Sequence, residues 1–281
     1  MKILITGGAG FIGTNLCKKL IKDNIVYSID DYSIGSKLNH IDGVKYIEGD
    51  INKIKSKIDN NFDICFHLAG LSRISPSFKN PRQTFNSNTK GVISVLDWCK
   101  INNTKMIYAG SSSRHYDHYQ SPYATFKFLG EEICRMYRRV YKMNIEITRF
   151  YNVYGPHEIT EGEWAAVIGI WRNQVKLGKP ITIIGDGEQR RDFTHVDDIV
   201  MALASLISYD ANNEDIWELG TGVNYSINEV ASMFVERFDA KLKYVNDLPG
   251  NYRETLRKDN LSMDKLDFNP SDKLYRYIMS L

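Results

Sequence analysis

Gly7-Gly8-Ala9-Gly10-Phe11-Ile12-Gly13 constrains the fold of this chain more than any other stretch. It lies between Lys2–Thr6, an apolar, β-branched run that reads as a strand, and Ile12–Lys22, whose apolar positions recur with helical period. A strand that turns into a helix through glycines brings backbone close to whatever sits on the turn. Gly7 and Gly10 leave room for a pyrophosphate, and Gly13 lets the helix pack tightly on the strand. The helix N-terminus then faces the phosphates with free N–H groups and partial positive charge. Glycines alone also make plain tight turns. Here strand, helix and spacing agree, which favours a dinucleotide site.

The rest of the first half repeats the alternation. Strands are expected at Ile25–Asp30, Val44–Ile47, Ile64–Leu68, Lys105–Ala109 and Ile145–Phe150, and helices at Asn86–Lys100 and Tyr123–Tyr141. Strands alternating with helices imply an α/β fold with a Rossmann-type doubly wound parallel sheet. After Phe150 turn signals multiply, as at Gly155-Pro156, Gly178-Lys179-Pro180 and Gly185-Asp186-Gly187. Between them lie short strands (Ile181–Ile184, Ile216–Leu219) and helices (Trp164–Lys176, Asp197–Ile207, Ile227–Phe238), expected to form a smaller mixed lobe. The expected division is residues 1–151 plus about 192–217 for the dinucleotide, and 152–191 plus 218–281 for the substrate.

Composition narrows the partners. The 281 residues are 43% hydrophobic and 25% charged with a net charge of +2, so no overall field argues for nucleic acid or a membrane. No apolar run reaches the ~20 residues that a membrane helix needs. Cys17, Cys65, Cys99 and Cys134 lie in apolar stretches with no CxxC pair, as buried free thiols in a reducing compartment would. No metal-ligand spacing stands out. With MKILITGG entering the first strand directly, a cytoplasmic location is expected. Arg135, Arg138, Arg139 and Lys142 are expected to form a solvated basic stripe opposite Ile133, Met136, Tyr137 and Val140.

Asp30 and Asp31 close the second strand about 20 residues beyond the glycines, where a carboxylate holds the adenosine ribose hydroxyls and repels a 2′-phosphate. No arginine stands beside them, although Lys37 is near in sequence, so NAD is favoured over NADP. Asp50-Ile51 ends the third strand, where it either covers the adenine or caps a turn.

Tyr123 and Lys127 are four apart, on one helix face. An unperturbed tyrosine has a pKa near about 10, and an ammonium one turn away is expected to lower it. Tyr123 then exchanges a proton with a substrate hydroxyl during hydride transfer. Ser111, Ser112 and Ser113 follow the fifth strand, where a serine hydroxyl can bond the reacting oxygen or simply cap a turn.

In order, GGAGFIG, Asp30-Asp31, Asp50-Ile51, His67-Leu68-Ala69-Gly70, the serine run, Tyr123-Ala124-Thr125-Phe126-Lys127 and Arg149-Phe150-Tyr151-Asn152-Val153-Tyr154-Gly155-Pro156 resemble the extended short-chain dehydrogenase/reductases. The pattern is similar to their NAD-dependent nucleotide-sugar epimerase/dehydratase group. It continues through Gly185-Asp186-Gly187-Glu188-Gln189-Arg190-Arg191-Asp192-Phe193-Thr194-His195. The resemblance implies Ser111, Tyr123 and Lys127 as the catalytic triad. It implies Gly7, Gly10, Phe11, Ile12, Gly13, Asp30, Asp31, Asp50, Ile51, Leu68, Ala69, Tyr123 and Lys127 as NAD contacts. It implies Ser112, Asn152 and Arg191 as contacts to a nucleotide-diphosphate sugar. Leu248 stands where many relatives carry an arginine before Pro-Gly, and Arg253 is the candidate replacement. His67 and His195 match framework positions; Trp164 and Tyr225 are further substrate candidates.

Departures from the family pattern narrow the reaction. The 4,6-dehydratases carry an Asp-Glu pair after the catalytic hydroxyl, and here Ser112 and Ser113 stand there. Epimerase–reductases use a cysteine and a histidine where Ser113 and Ala166 fall. The remaining expectation is epimerisation at C4 through a transient 4-keto sugar, in a homodimer paired through Asn86–Lys100 and Ala124–Tyr141, serving carbohydrate metabolism and polysaccharide biosynthesis. The alternatives are a 4-keto sugar reductase, a 4,6-dehydratase or a non-catalytic NAD-binding protein. Tyr123 stands 12 positions past Ser111, a short interval for this family, and His115 within it is either an extra acid–base group or a solvent-exposed loop residue.

Overall fold

Seven parallel strands make the central sheet of the computed structural model, which describes residues 1–59, 61–209, 216–266 and 268–281. In chain order the first strands are β1 (Lys2–Thr6), β2 (Ile25–Asp30), β3 (Lys45–Glu48), β4 (Ile64–His67), β5 (Lys105–Ser111) and β6 (Ile145–Phe150). Then come β7 (Asn152–Tyr154), β8 (Ile181–Ile184), β9 (Arg190–His195), β10 (Ile216–Leu219), β11 (Asn224–Ser226) and β12 (Leu242–Val245). Helices α1 (Phe11–Leu20), α2 (Ile54–Lys57), α3 (Ile74–Lys79), α4 (Pro81–Phe85), α5 (Gly91–Ile101) and α6 (Pro122–Tyr141) belong to the first half. They are followed by α7 (Val167–Lys176), α8 (Val196–Ser205), α9 (Ile227–Phe238), α10 (Leu261–Leu266) and α11 (Leu274–Ser280).

The sheet order is β3-β2-β1-β4-β5-β6-β10. The winding reverses between β1 and β4, so a crevice opens at their C-terminal ends, where ligands of such sheets bind. Side chains alternate across the sheet. Ile3 and Ile5 pack with Leu16, Val200, Leu203 and Trp217 under α1 and α8. Leu4 packs on the opposite face with Cys65, Val95, Leu96, Met106 and Cys134 under α5 and α6. All four cysteines are buried and free.

The second lobe has its own core around Trp171, Ile181, Ile183, Val230 and Phe234. It contains the sheet β11-β9-β7 and the parallel pair β12-β8. Only Tyr151 separates β6 from β7, so the chain passes from the main sheet into the lobe beside the crevice.

Several expectations need correction. Ile216–Leu219, expected in the second lobe and cut by a boundary at 217, is the edge strand of the main sheet, paired with β6 from Ile216↔Ile147 to Leu219↔Phe150. The helix expected from Trp164 starts at Val167. The segment expected as one helix over Asn86–Lys100 opens with a π-helical turn, Asn86–Lys90. On α6 the basic stripe is broken. Arg138 is buried and donates to the Ile145 carbonyl, while Met136 and Val140 are exposed. Periodicity located the helix, but the stripe that faces the sheet includes Arg138, whose guanidinium is held by the carbonyl that opens β6.

Candidate active site

A cavity of about 760 Å³ lies over the crevice, walled by the ends of β1, β2, β4 and β5 and by the second lobe. At one end is the glycine turn. Gly7 has φ +74°, and a Cβ there would lie 2.9 Å from the Ala69 backbone. A Cβ on Gly13 would lie 2.1 Å from the Gly7 carbonyl oxygen, which locks α1 against the turn. Gly10, the N-cap of α1, has no side-chain cap, and a Cβ there would meet only the Gly7 oxygen at 3.3 Å. The cradle is thus open on the side where α1 presents its N-terminus, as a dinucleotide phosphate requires.

Gly7, Gly10, Phe11, Ile12, Gly13, Asp30, Asp31, Asp50, Ile51, Leu68 and Ala69 all line this cavity. Asp30 is buried and accepts from the Ala9 and Tyr32 amides at 3.0 and 2.9 Å, tying the glycine turn to the end of β2. Burial raises its pKa, against the pull of those two amides. Asp31 is more exposed and bonds the amide and hydroxyl of Ser33 at 2.9 and 2.6 Å. Asp50 caps a turn through the Asn52 amide at 2.8 Å while also lining the cavity, so both sequence readings describe its position. His67 is a framework residue: it is buried against the Thr6 hydroxyl at 2.8 Å, and burial pushes it down to about 3.

Ser111, Tyr123 and Lys127 come together at the middle of the cavity. Ser121 and Pro122 start α6, and the Ser121 hydroxyl accepts from the Ala124 amide at 3.1 Å. This cap puts Tyr123 in the first turn, where its Oη donates to Ser111 Oγ at 3.2 Å. Ser111 also accepts from the Ser113 amide at 3.2 Å, so it is both turn cap and partner of the phenol. Lys127 Nζ donates to the Ala109 carbonyl at 2.9 Å. The expected lowering of Tyr123 is not found: burial raises its pKa, outweighing the Ser111 hydrogen bond and the Arg73 charge. Burial likewise pushes Lys127 down to about 8. The Lys127 ammonium is held on a sheet carbonyl and is not among the groups that shift the phenol.

His115 does not line the cavity. It bonds Glu218 Oε1 at 2.8 Å, and the same oxygen accepts from Arg149 Nη1 at 2.7 Å. Arg149 also pairs with Glu131 of α6 at 2.5 Å, and Arg114 reaches Glu132 at 2.9 Å. The short Ser111–Tyr123 segment is therefore clamped to β6, β10 and α6 by a partly buried ionic group, a role with no local sequence signature.

Toward the second lobe, Ser112, Asn152, Trp164 and Arg191 line the cavity. Asn152 donates to the Asp192 carbonyl at 3.1 Å and to Thr255 at 2.9 Å. Arg191 Nη2 donates to Asn251 at 2.5 Å, and burial lowers its pKa to about 10. Arg253 corrects the sequence reading: it is absent from the cavity wall and instead holds Asp186 at 2.9 Å on the surface. Tyr225 is also outside, bonded to Asp272. Sequence reasoning missed Arg73, Glu158, Asn251, Tyr252 and Thr255, which line the cavity from loops without motif or periodicity.

Residues 3–220 match the NAD dependent epimerase/dehydratase family. A putative UDP-glucose 4-epimerase of Methanocaldococcus jannaschii is 31% identical over 265 residues, spanning 88% of this chain and 86% of that protein. Among solved structures, UDP-glucose 4-epimerase from Thermotoga maritima with UDP-glucose has a TM-score of 0.91 at 25% identity, covering 99% of this chain and 96% of that one. UDP-glucuronic acid 4-epimerase from Bacillus cereus, in complex with UDP-glucuronic acid and NAD, has a TM-score of 0.87 at 26% identity, covering 99% and 96%.

Proposed function

The chain belongs to the NAD dependent epimerase/dehydratase family and is an NAD-dependent nucleotide-sugar epimerase; we propose that it inverts C4 of a uridine-diphosphate sugar, with Ser111, Tyr123 and Lys127 handling the proton. The observation that carries this reading is the hydrogen bond from Tyr123 to Ser111 beside an open glycine cradle. NAD, when bound, supplies the acceptor that takes the C4 hydrogen with its electron pair and returns it to the other face.

In this scheme Tyr123 removes the C4 hydroxyl proton as the carbonyl forms and gives it back as the carbonyl is reduced. Ser111 orients the sugar oxygen. Lys127, fixed on Ala109, holds the nicotinamide ribose. The glycine cradle and α1 bind the NAD pyrophosphate, with Asp30 and Asp31 on the adenosine ribose. Arg191 and Asn152 meet the sugar nucleotide's diphosphate, with Ser112 facing the sugar. We assign NAD to the main sheet and the nucleotide sugar to the lobe made by 152–191 and 220–281. A dehydratase reading is weaker, because Ser112 and Ser113 offer no carboxyl to eliminate water.

A cytoplasmic homodimer is also part of the proposal. No helix among the described residues is long and apolar enough to cross a membrane. Ile93, Ile101, Leu129, Met136, Val140 and Tyr141 of α5 and α6 are exposed apolar side chains that a second copy would cover. Incubation with UDP-glucose and UDP-glucuronic acid, followed by NMR of the products, tests the reaction. Inversion at C4 without net NADH formation is expected; stoichiometric NADH consumption with a 4-keto sugar would favour a reductase.

A further inference from the structure

Among the described residues, three cationic side chains line the cavity: Arg73, Lys127 and Arg191. On the proposed function, on which this inference rests, Lys127 serves the nicotinamide ribose and Arg191 the substrate diphosphate. The NAD pyrophosphate has the glycine cradle. Arg73 is left without an anion.

Its position is well defined. Arg73 is the N-cap residue of α3, and Ser77, on that helix, accepts from the Tyr123 amide at 3.1 Å. This contact fixes α3 on the first turn of α6. Arg73 Nε donates to the Trp164 carbonyl at 3.0 Å, and Nη1 to its neighbour Ser72 at 3.3 Å. The side chain thus reaches from α3, which packs on α6, to the Trp164 carbonyl. Arg73 and Tyr123 line the same cavity, and the Arg73 charge acts to lower the phenol's pKa.

The guanidinium has no carboxylate within ion-pair distance among the described residues. Glu158, the acidic group that senses it, is engaged at Oε1 by Arg172 at 2.9 Å and by Tyr277 at 3.3 Å, while its Oε2 is buried without a hydrogen-bond partner and lies beyond ion-pair distance of Arg73. A half-buried guanidinium held by carbonyls alone keeps its full charge while losing much of its hydration. Nη2 remains free to donate. A planar carboxylate is the ligand that such a fork recognises best.

We propose that Arg73 binds a carboxylate on the sugar ring, making the substrate a nucleotide-linked hexuronic acid rather than a neutral hexose. C4 must sit at Tyr123 for proton transfer, and the exocyclic carbon on C5 is the adjacent substituent. A carboxylate there would meet the part of the cavity wall that Arg73 forms beside the first turn of α6. A neutral hydroxymethyl group leaves the guanidinium without an ion pair. The solved relatives hold a hexose in one case and a hexuronic acid in the other, so fold likeness does not choose between them.

The test compares UDP-glucuronic acid with UDP-glucose, using the NAD-loaded full chain and its Arg73→Gln variant, with epimers quantified by NMR. The wild-type protein is expected to favour the uronate in kcat/KM by at least about tenfold. Arg73→Gln is expected to lower the uronate-to-hexose ratio by about 100-fold, the order lost when one partner of a desolvated charge pair is removed. Comparing two substrates on one variant cancels any general loss of structure. An unchanged ratio would overturn the inference and leave Arg73 as a strut on Trp164. So would a wild-type preference for UDP-glucose, which decides the matter even if the variant fails to fold, and which leaves the epimerase reading standing. Turnover of neither sugar would overturn this inference and move the proposed inversion at C4 to a different UDP-sugar.

Discussion

Tyr123 Oη donates to Ser111 Oγ across 3.2 Å, joining the first turn of α6 to the end of β5. The bond places a proton donor and acceptor where hydride chemistry would occur, but burial holds the phenol above its ordinary value of 10.0. In the protein without cofactor, the phenolate absorbance lost on Tyr123→Phe substitution should therefore emerge only above pH 10. Emergence near pH 7 would show that Lys127 acts on the phenol after all. The same variant should lose about 10²- to 10⁴-fold in kcat, the range for a general acid–base group.

Lys127 supplies a stability test. Its pKa is pushed down to about 8 from 10.5, with burial as the leading cause. Between about pH 8 and 10.5 the unfolded chain holds a proton that the folded chain has released. The cost of burying the ammonium is therefore complete below pH 8 and disappears as pH rises to 10.5, on the order of 3 kcal/mol. Lys127→Met should remove that dependence. Urea unfolding at pH 7 and pH 10 should show its stability relative to wild type falling as pH rises; parallel curves would refute the assignment. Activity should be lost throughout.

The glycine turn separates cofactor binding from folding. Gly13→Ala would force a methyl to 2.1 Å from the Gly7 oxygen, with backbone on both sides, so a large drop in Tm is expected. Gly10→Ala meets only one oxygen at 3.3 Å and should change Tm little. That methyl instead points into the proposed pyrophosphate site, so the Kd for NAD by calorimetry should rise at least about tenfold. Wild-type affinity in Gly10→Ala would move the dinucleotide elsewhere.

These residues also show what a sequence can disclose. The glycine turn, the main-sheet strands and the Tyr123–Lys127 spacing are local patterns, legible because backbone sterics and side-chain period act over a few residues. β9 is not local: Arg190–His195 lacks alternation and is a strand because β7 and β11 pair with it. Arg73 carries no signal, since its place is set by α3 packing on α6 and by the Trp164 carbonyl. Arg253 misled because nearness to Leu248 in sequence suggested a substitute. The extended chain instead turns it to Asp186, while Tyr252 and Thr255 line the cavity.

Exposed Met136 and Val140 on α6 bear on assembly. If a second copy covers them, Val140→Glu should convert a dimer to a monomer in light scattering, with little change in monomer secondary structure. A wild-type protein that is monomeric at micromolar concentration would end the dimer proposal.

Arg149 joins stability to the active site. It pairs with Glu131 at 2.5 Å and with Glu218 at 2.7 Å, and both carboxylates are buried. Burial alone would raise their pKa values. For Glu131 the hydrogen bond and charge of Arg149 outweigh it, and for Glu218 those of His115 and then Arg149 do, so both groups sit below 4.5. Their contribution is full above that unfolded value and is lost as pH falls through the lower folded ones. Arg149→Met should cost about 3–5 kcal/mol at pH 7, because two carboxylates lose their shared partner. The cost should shrink below pH 4.5, where both can be neutral. Urea midpoints at pH 7 and pH 4 measure the difference, and an equal penalty at both would refute the electrostatic account. Because His115 ties the Ser111–Tyr123 segment to Glu218, the variant should also lose kcat more than substrate affinity; unchanged kcat would show that the clamp does not position Ser111.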